Sequence, residues 1–278
     1  NLTINSGLYL SKLKEIDFRD GWLFAGTAKN INSKFDIFNY AIYTQLTYPL
    51  SNKLILTSTL RYDVNETKNN LSWRDGDYNL FSSYYSVKDN NLIGAIIKIN
   101  YKYNDNLFFN SSLSRGYKTS GINQTPLIDE SLKVYDTEYC NNLDFGINYL
   151  KDNYSFKFST FYMYRFNPQL RLSTQLNESP LSFDYATFNS DYAYNYGFEL
   201  NINLKASDNI IFNSYLSYLK TYVSSFQFIG DQIYGNRDAA HSPNNKYGFN
   251  LKYDMSKVLR GLSLNMSSSF IGSFYFEE

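Results

Sequence analysis

The sequence predicts an all-β protein, an antiparallel up-and-down transmembrane β-barrel, with about eleven strands readable as part of a larger barrel. Three observations predict it. Segments of about ten residues carry two alternating rows of side chains, one apolar and one polar. Short and long connections alternate between those segments. Aromatic residues make up 19% of the 278 residues, with 28 Tyr and 22 Phe. Side chains of a strand point to opposite faces in turn, and rings fit a pleated surface better than a helix.

Taken in chain order, a first strand lies near Leu8 and Leu10, and two more occupy 38–48 and 54–62. In the fourth, Ile93, Ala95, Ile97, Ile99, Tyr101 and Tyr103 oppose Gly94, Lys98, Asn100 and Lys102. Strands at 107–113 and 143–149 follow. In the seventh, Tyr154, Phe156, Phe158, Thr160, Tyr162, Tyr164 and Phe166 form a row rich in rings against Ser155, Lys157, Ser159, Phe161, Met163 and Arg165. In the eighth, Tyr192 to Leu204 on the even positions oppose Asn195, Glu199, Asn201, Asn203 and Lys205. A ninth covers 210–222. The tenth sets Tyr247, Phe249, Leu251 and Tyr253 against Asn250, Lys252 and Asp254, and the last covers 262–270.

Tight turns rich in Asn and Asp stand at 49–52, 104–106, 151–153 and 207–209, with a fifth short link at 256–260. Long polar stretches occupy 14–34, 66–91, 118–133, 167–190 and 223–243. In an up-and-down sheet every second connection falls at the same end. One end is therefore expected to carry turns and the other large loops, the layout of outer-membrane barrels. A soluble sandwich also alternates its rows, with the apolar one inward. Strand lengths near the ~9–11 residues of a tilted crossing favour lipid, as does the small, hydrophilic polar row. A mean hydropathy of −0.42 is compatible, since half of each strand meets water.

Other classes are disfavoured. Basic and acidic residues balance at 26 each, and they are interspersed, so no nucleic-acid partner is expected. Nowhere do ~18 apolar residues run together as in a membrane helix. One His, one Cys and the absence of metal-ligand spacing give no metal site and no cofactor. His241 and Ser242 are neighbours, which does not by itself place a base on a nucleophile. No catalytic residue is assigned, and a barrel-embedded hydrolase stays a remote alternative.

LFFNSSLSRGYKTSGIN resembles a barrel segment of TonB-dependent outer-membrane receptors, through Ser114, Arg115, Gly116, Tyr117, Lys118, Gly121 and Asn123. TEYCNNLDFGINYL resembles a later strand, with Glu138 and Gly146 in place and Asp144 where Glu is usual; YGFELNINL resembles another through Gly197 and Glu199. The resemblances span most of 40–276. They imply a receptor that takes up a scarce nutrient, a ferric siderophore or similar chelate. A plug domain in the lumen would gate it and the TonB energising protein would drive it. Neither the N-terminal plug nor the energising motif is visible here. The family's barrel has twenty-two strands, so the chain reads as the central-to-late part of one such barrel domain over 1–278. A passive porin is the alternative transporter, and a soluble sugar-binding β-protein the alternative outside membranes.

For a receptor, the candidate ligand contacts at the outer mouth are Arg115, Tyr117, Lys118 and Arg171, whose cations would capture an anionic chelate. Solvated loop charges or lipid-headgroup contacts are the competing reading of the same cations. Phe158, Tyr194 and Phe198 are expected on the lipid side, with Lys157 and Glu199 on the opposite face.

Overall fold

The computed structural model describes residues 1–23, 28–74, 77, 80–124, 130–175, 183–227 and 233–276. In chain order the strands are β1 (Thr3–Leu23), β2 (Ala28–Pro49), β3 (Leu54–Arg74), β4 (Leu80–Lys102), β5 (Leu107–Lys118), β6 (Gly121–Ile122), β7 (Val134–Tyr135), β8 (Glu138–Lys151) and β9 (Tyr154–Phe166). They continue as β10 (Gln169–Gln175), β11 (Phe183–Asn189), β12 (Tyr192–Ser207), β13 (Ile210–Val223), β14 (Phe226–Gln227), β15 (Ile233–Tyr234), β16 (Asn245–Asp254) and β17 (Ser263–Ile271). Eleven of these form one sheet in the order β1-β2-β3-β4-β5-β8-β9-β12-β13-β16-β17, and the others pair as three small hairpins. Every neighbouring pair in the large sheet is antiparallel.

The register separates the faces as the alternation requires. Tyr164, Tyr162 and Phe158 of β9 stand opposite Tyr194, Tyr196 and Leu200 of β12, while Lys157 and Ser159 stand opposite Asn201 and Glu199. Phe158 and Phe198 stack at 6.2 Å, and Phe198 stacks on Tyr218 at 6.0 Å. None of Phe158, Tyr194 and Phe198 is enclosed in a core. Leu8, Leu10, Leu60 and Leu113, all on the apolar face, are 78%, 73%, 59% and 58% exposed. Ile31, Leu71, Trp73, Leu92, Ala193 and Val223 belong to the opposite rows and are buried. The greasy, open side of this sheet is thus the ring-bearing one, which is the arrangement hydrocarbon demands.

One end of the sheet carries tight turns. Leu50 N–H donates to Leu54 O at 2.8 Å, and Asn104 Oδ1 accepts from the amides of Asn106 and Leu107 at 2.9 Å each. Lys102 beside Asp105, and Lys205 beside Asp208, hold those carboxyls below the usual carboxylate range by hydrogen bond and charge.

The other end differs from the expectation in its first half. The stretches 14–34 and 66–91 are largely strand, because β1 runs to Leu23, β2 begins at Ala28, β3 ends at Arg74 and β4 begins at Leu80. On β3 the even positions Lys68, Asn70 and Arg74 are exposed, and the odd positions Asn65, Thr67, Asn69, Leu71 and Trp73 are buried. Both rows there contain polar residues, so the period of two is hidden in a linear reading yet persists in the pairing. In the second half the stretches at 118–133, 167–190 and 223–243 stay connections, and each folds one of the small hairpins. Residues 24–27, 75–76, 78–79, 125–129, 176–182 and 228–232 of these stretches lie outside the described residues.

Candidate functional site

At the loop end of the polar face the connections assemble into one body. The alternation of β10 and β11 places Leu170 and Leu172 opposite Phe188 and Ala186. These four are buried in a small core with Ala193 of β12 and Val223 of β13, and Leu132, Phe226, Tyr234 and Ala239 pack against it. Burying each large side chain stabilises the contact by about 1.5–3 kcal/mol. The β10–β11 hairpin is thereby folded inward over the polar wall.

Polar side chains then join the loops to one another. Arg165, on the polar row of β9, donates from Nε to Glu138 Oε1 at 2.6 Å and from Nη2 to Oε2 at 3.1 Å. Gln169 N–H adds a bond to Glu138 Oε2 at 2.8 Å, and its side-chain amide donates to the carbonyls of Thr119 and Asp136 at 2.8 and 3.0 Å. Asn123 donates to Thr187 O at 2.6 Å and accepts from Thr187 N–H at 2.8 Å. Asn189 likewise accepts from Asp136 N–H at 2.6 Å and donates to its carbonyl at 3.0 Å. Burial pushes the Tyr135 phenol above the ordinary tyrosine range. Its hydroxyl sits so close to Gly121 that any Cβ there would overlap it.

A relay of amides fastens this body to the wall. Asn90 of β4 donates to Asn65 Oδ1 at 3.1 Å, and Asn65 in turn donates to Asn39 of β2. Ser120 and Thr137, from the β5–β8 connection, donate to Asn90 Oδ1 at 2.8 and 2.9 Å. Farther across, Arg19 of β1 reaches Gln124 at 3.5 Å.

The four expected ligand contacts fall in three places. Tyr117 stands where β4 and β5 part: their pairing ends at Ala95 and Arg115, while β5 continues beside β8 to Lys118. Its ring fills the fork, 3.0 Å from where a Gly94 Cβ would be. Its hydroxyl donates to Asp63 Oδ2, and Arg61 holds the same carboxylate at 2.7 and 2.6 Å. Lys118 is exposed on the polar row opposite Glu138. Arg171 is exposed on the outward side of its hairpin, with its guanidinium 5.3 Å over Tyr185. Arg115 stands apart from them. Strand alternation puts it with Leu113 on the apolar face, where it covers Tyr139 at 4.3 Å. The Glu138–Arg165–Gln169 junction is the part that sequence reasoning missed as a site. Its signals were Glu138, noted in the resemblance without a partner, and Arg165 at the loop end of the row Ser155, Lys157, Ser159, Phe161 and Met163.

Ser242 Oγ donates to Ala240 O at 3.1 Å, and His241, at φ 55°, lies within 6.2 Å of Phe274 and 6.0 Å of Phe276. Among the described residues no three His, Cys, Asp or Glu side chains gather as metal ligands.

Comparison with known proteins now adds to this geometry. The family model described as TonB dependent receptor-like, beta-barrel, matches residues 3–277. The crystal structure of the ferric yersiniabactin uptake receptor FyuA from Yersinia pestis superposes with a TM-score of 0.74 at 16% identity, over 99% of this chain and 40% of that one. The siderophore receptor PiuA from Acinetobacter baumannii gives 0.65 at 14% identity, over 87% and 34%. The copper transporter OprC gives 0.63 at 14% identity, over 91% and 41%. The chain therefore spans about two fifths of the length of such structures. No curated protein matches its sequence.

Proposed function

From the premise that this chain belongs to the TonB-dependent receptor β-barrel family of the bacterial outer membrane, we propose that it forms the wall and mouth of an active-transport receptor. The cargo is a scarce nutrient, a ferric siderophore. The observation that carries this reading is the family match along almost the whole chain, joined to a loop body folded over the polar face. A ligand entering from outside meets that body first. Arg171 over Tyr185 offers a cation and a ring to an anionic, ring-bearing chelate, and Lys118 adds charge beside the fork that Tyr117 fills. The polar rows of β8 to β17 line the path beneath, with a plug as its gate. TonB supplies the energy, and the wall residues perform no covalent chemistry. Arg115 is assigned to the headgroup level of the outer leaflet.

Growth under iron limitation, with and without the gene, tests the cargo, and fluorescence titration of the intact receptor with ferric chelates tests the site. Loss of growth together with saturable binding is expected. Unchanged growth, no binding and a steady ungated conductance in a planar bilayer would replace this reading by a passive porin.

A further inference from the structure

The apolar face of β2 and β3 carries a ring belt, Phe38, Tyr40 and Tyr62, of the kind that marks the headgroup level. Below that belt, toward the turn end, the opposite face of β12, β13, β16 and β17 holds a block without charge. One cross-strand row there is Asn203, Asn213, Asn250 and Ser267. The row above it is Asn201, Tyr215, Gly248 and Ser269. Ionic side chains return only in the flanking rows, with Glu199 and Lys246 on one side and Lys205 and Lys252 on the other.

Gly248 makes a seat in this block. A Cβ there would stand 2.8 and 2.9 Å from Cε1 and Cζ of Tyr215, so only bare backbone lets the ring lie against it. Tyr215 is still 41% exposed, so its ring is backed on one side and open on the other. Asn203 donates to Ser155 Oγ at 2.9 Å. Among the described residues, the side-chain amides of Asn201, Asn213 and Asn250 have no hydrogen-bond partner. Each of them offers two donors and an acceptor. A cavity of about 370 Å³ lies over the block, lined by these asparagines, Tyr215, Ser267 and Ser269. Small-molecule sites commonly measure ~300–1,000 Å³.

We propose that this block is a binding site for a neutral polyhydroxylated molecule, a sugar. Hydroxyls both donate and accept, and so do the three unpartnered amides. The apolar side of a pyranose ring covers the open side of Tyr215, whose electron-rich face attracts the sugar's C–H groups. An ion would give up its hydration here without a counter-charge. The block therefore disfavours the anionic chelate that Arg171 and Lys118 suit. A polypeptide segment could use the amides, but the glycine-seated ring is a platform for a flat, ring-shaped ligand. The site does not depend on the cargo assigned to the mouth.

Isothermal titration of the intact receptor with maltotriose, in a sugar-free detergent, tests the site. Saturable binding is expected, and Tyr215→Ala, or Asn213→Ala with Asn250→Ala, should weaken it about tenfold. Gly248→Ala should weaken it as well, because it dislodges the ring without removing a lining group. Tyr215→Phe should keep the affinity within about twofold, which separates stacking from loss of fold. Glucuronate should compete less well than glucose. No saturable binding by the intact receptor would overturn the proposal, the wall then being a contact for the plug. So would equal affinity in wild type and every variant, which places the sugar elsewhere. A separate titration with ferric chelate reads the mouth, so failure at one site leaves the result at the other standing.

Discussion

β1–β4 and the wall from β5 onward solve the same problem, what to do with chain above the membrane, in opposite ways. In β1–β4 the strands simply continue, to 21–23 residues, and keep their pairing. In β5, β8, β9, β12, β13, β16 and β17 the paired strands have 9–16 residues. Above them the chain turns inward as small hairpins. The difference teaches that the sheet is one object below the ring belt and two above it. An extended palisade stands on one side, and a folded cap held by amides and a small core stands on the other.

The largest expected effect tests the boundary itself. Phe158→Arg, on the lipid face, should cost roughly 2–4 kcal/mol if it lies near the midplane. Asn70→Arg, on the same face of the palisade, should stay within about 0.5 kcal/mol. Denaturant titration of the intact receptor in vesicles measures both, and equal losses would erase the division. Next comes the cap. Glu138→Ala leaves Arg165 and the Gln169 amide without their acceptor, a loss of about 2–3 kcal/mol. Hydrogen exchange should quicken at 169–172 while β1–β3 stay protected; uniform quickening would mean cap and palisade are one cooperative unit.

Tyr117→Phe is smaller, about 1 kcal/mol. It should loosen the fork between β4 and β5, read as faster exchange at 116–120 with no change at 107–113. Smallest are the turns at the opposite end. The carboxyls of Asp105 and Asp208 are held low in the folded state, so their contribution is present at neutral pH and fades as pH falls through the depressed values. Protection at 103–106 and 207–209, taken relative to the intrinsic exchange rate at each pH, should fall on acidification below the usual carboxylate range; unchanged protection would show that the two turns owe nothing to these carboxyls.

Much of this was legible in the sequence. The row of rings from Tyr154 to Phe166 named its own face, and the Asn/Asp turns named theirs, because both signals are local. The palisade was not legible, since above the belt Lys34, Asp36, Glu66 and Lys68 on one row and Ser33, Asn65, Thr67 and Asn69 on the other are all polar. Only partner strands distinguish them. Arg115, expected among the ligand contacts of the outer mouth, shares parity with Leu113 and stands on the apolar face, a signal the sequence reading passed over, and its neighbour Tyr117 shows the limit of parity. Its ring serves the gap where two strands part, a feature of pairing that no single strand encodes. The Glu138–Arg165 junction joins residues 27 apart, and Asn123 meets Thr187 across 64. Contacts at such separations leave no periodic trace.

The β10–β11 hairpin keeps its fastening and its display on different sides. Leu170, Leu172, Ala186 and Phe188 anchor it, while Arg171 and Tyr185 look away from the anchor. Selection can therefore rewrite the outward pair without disturbing how the hairpin is seated. Substitutions at that outward pair meet none of the packing that seats the hairpin, while the wall below it stays under the stricter rule of the bilayer.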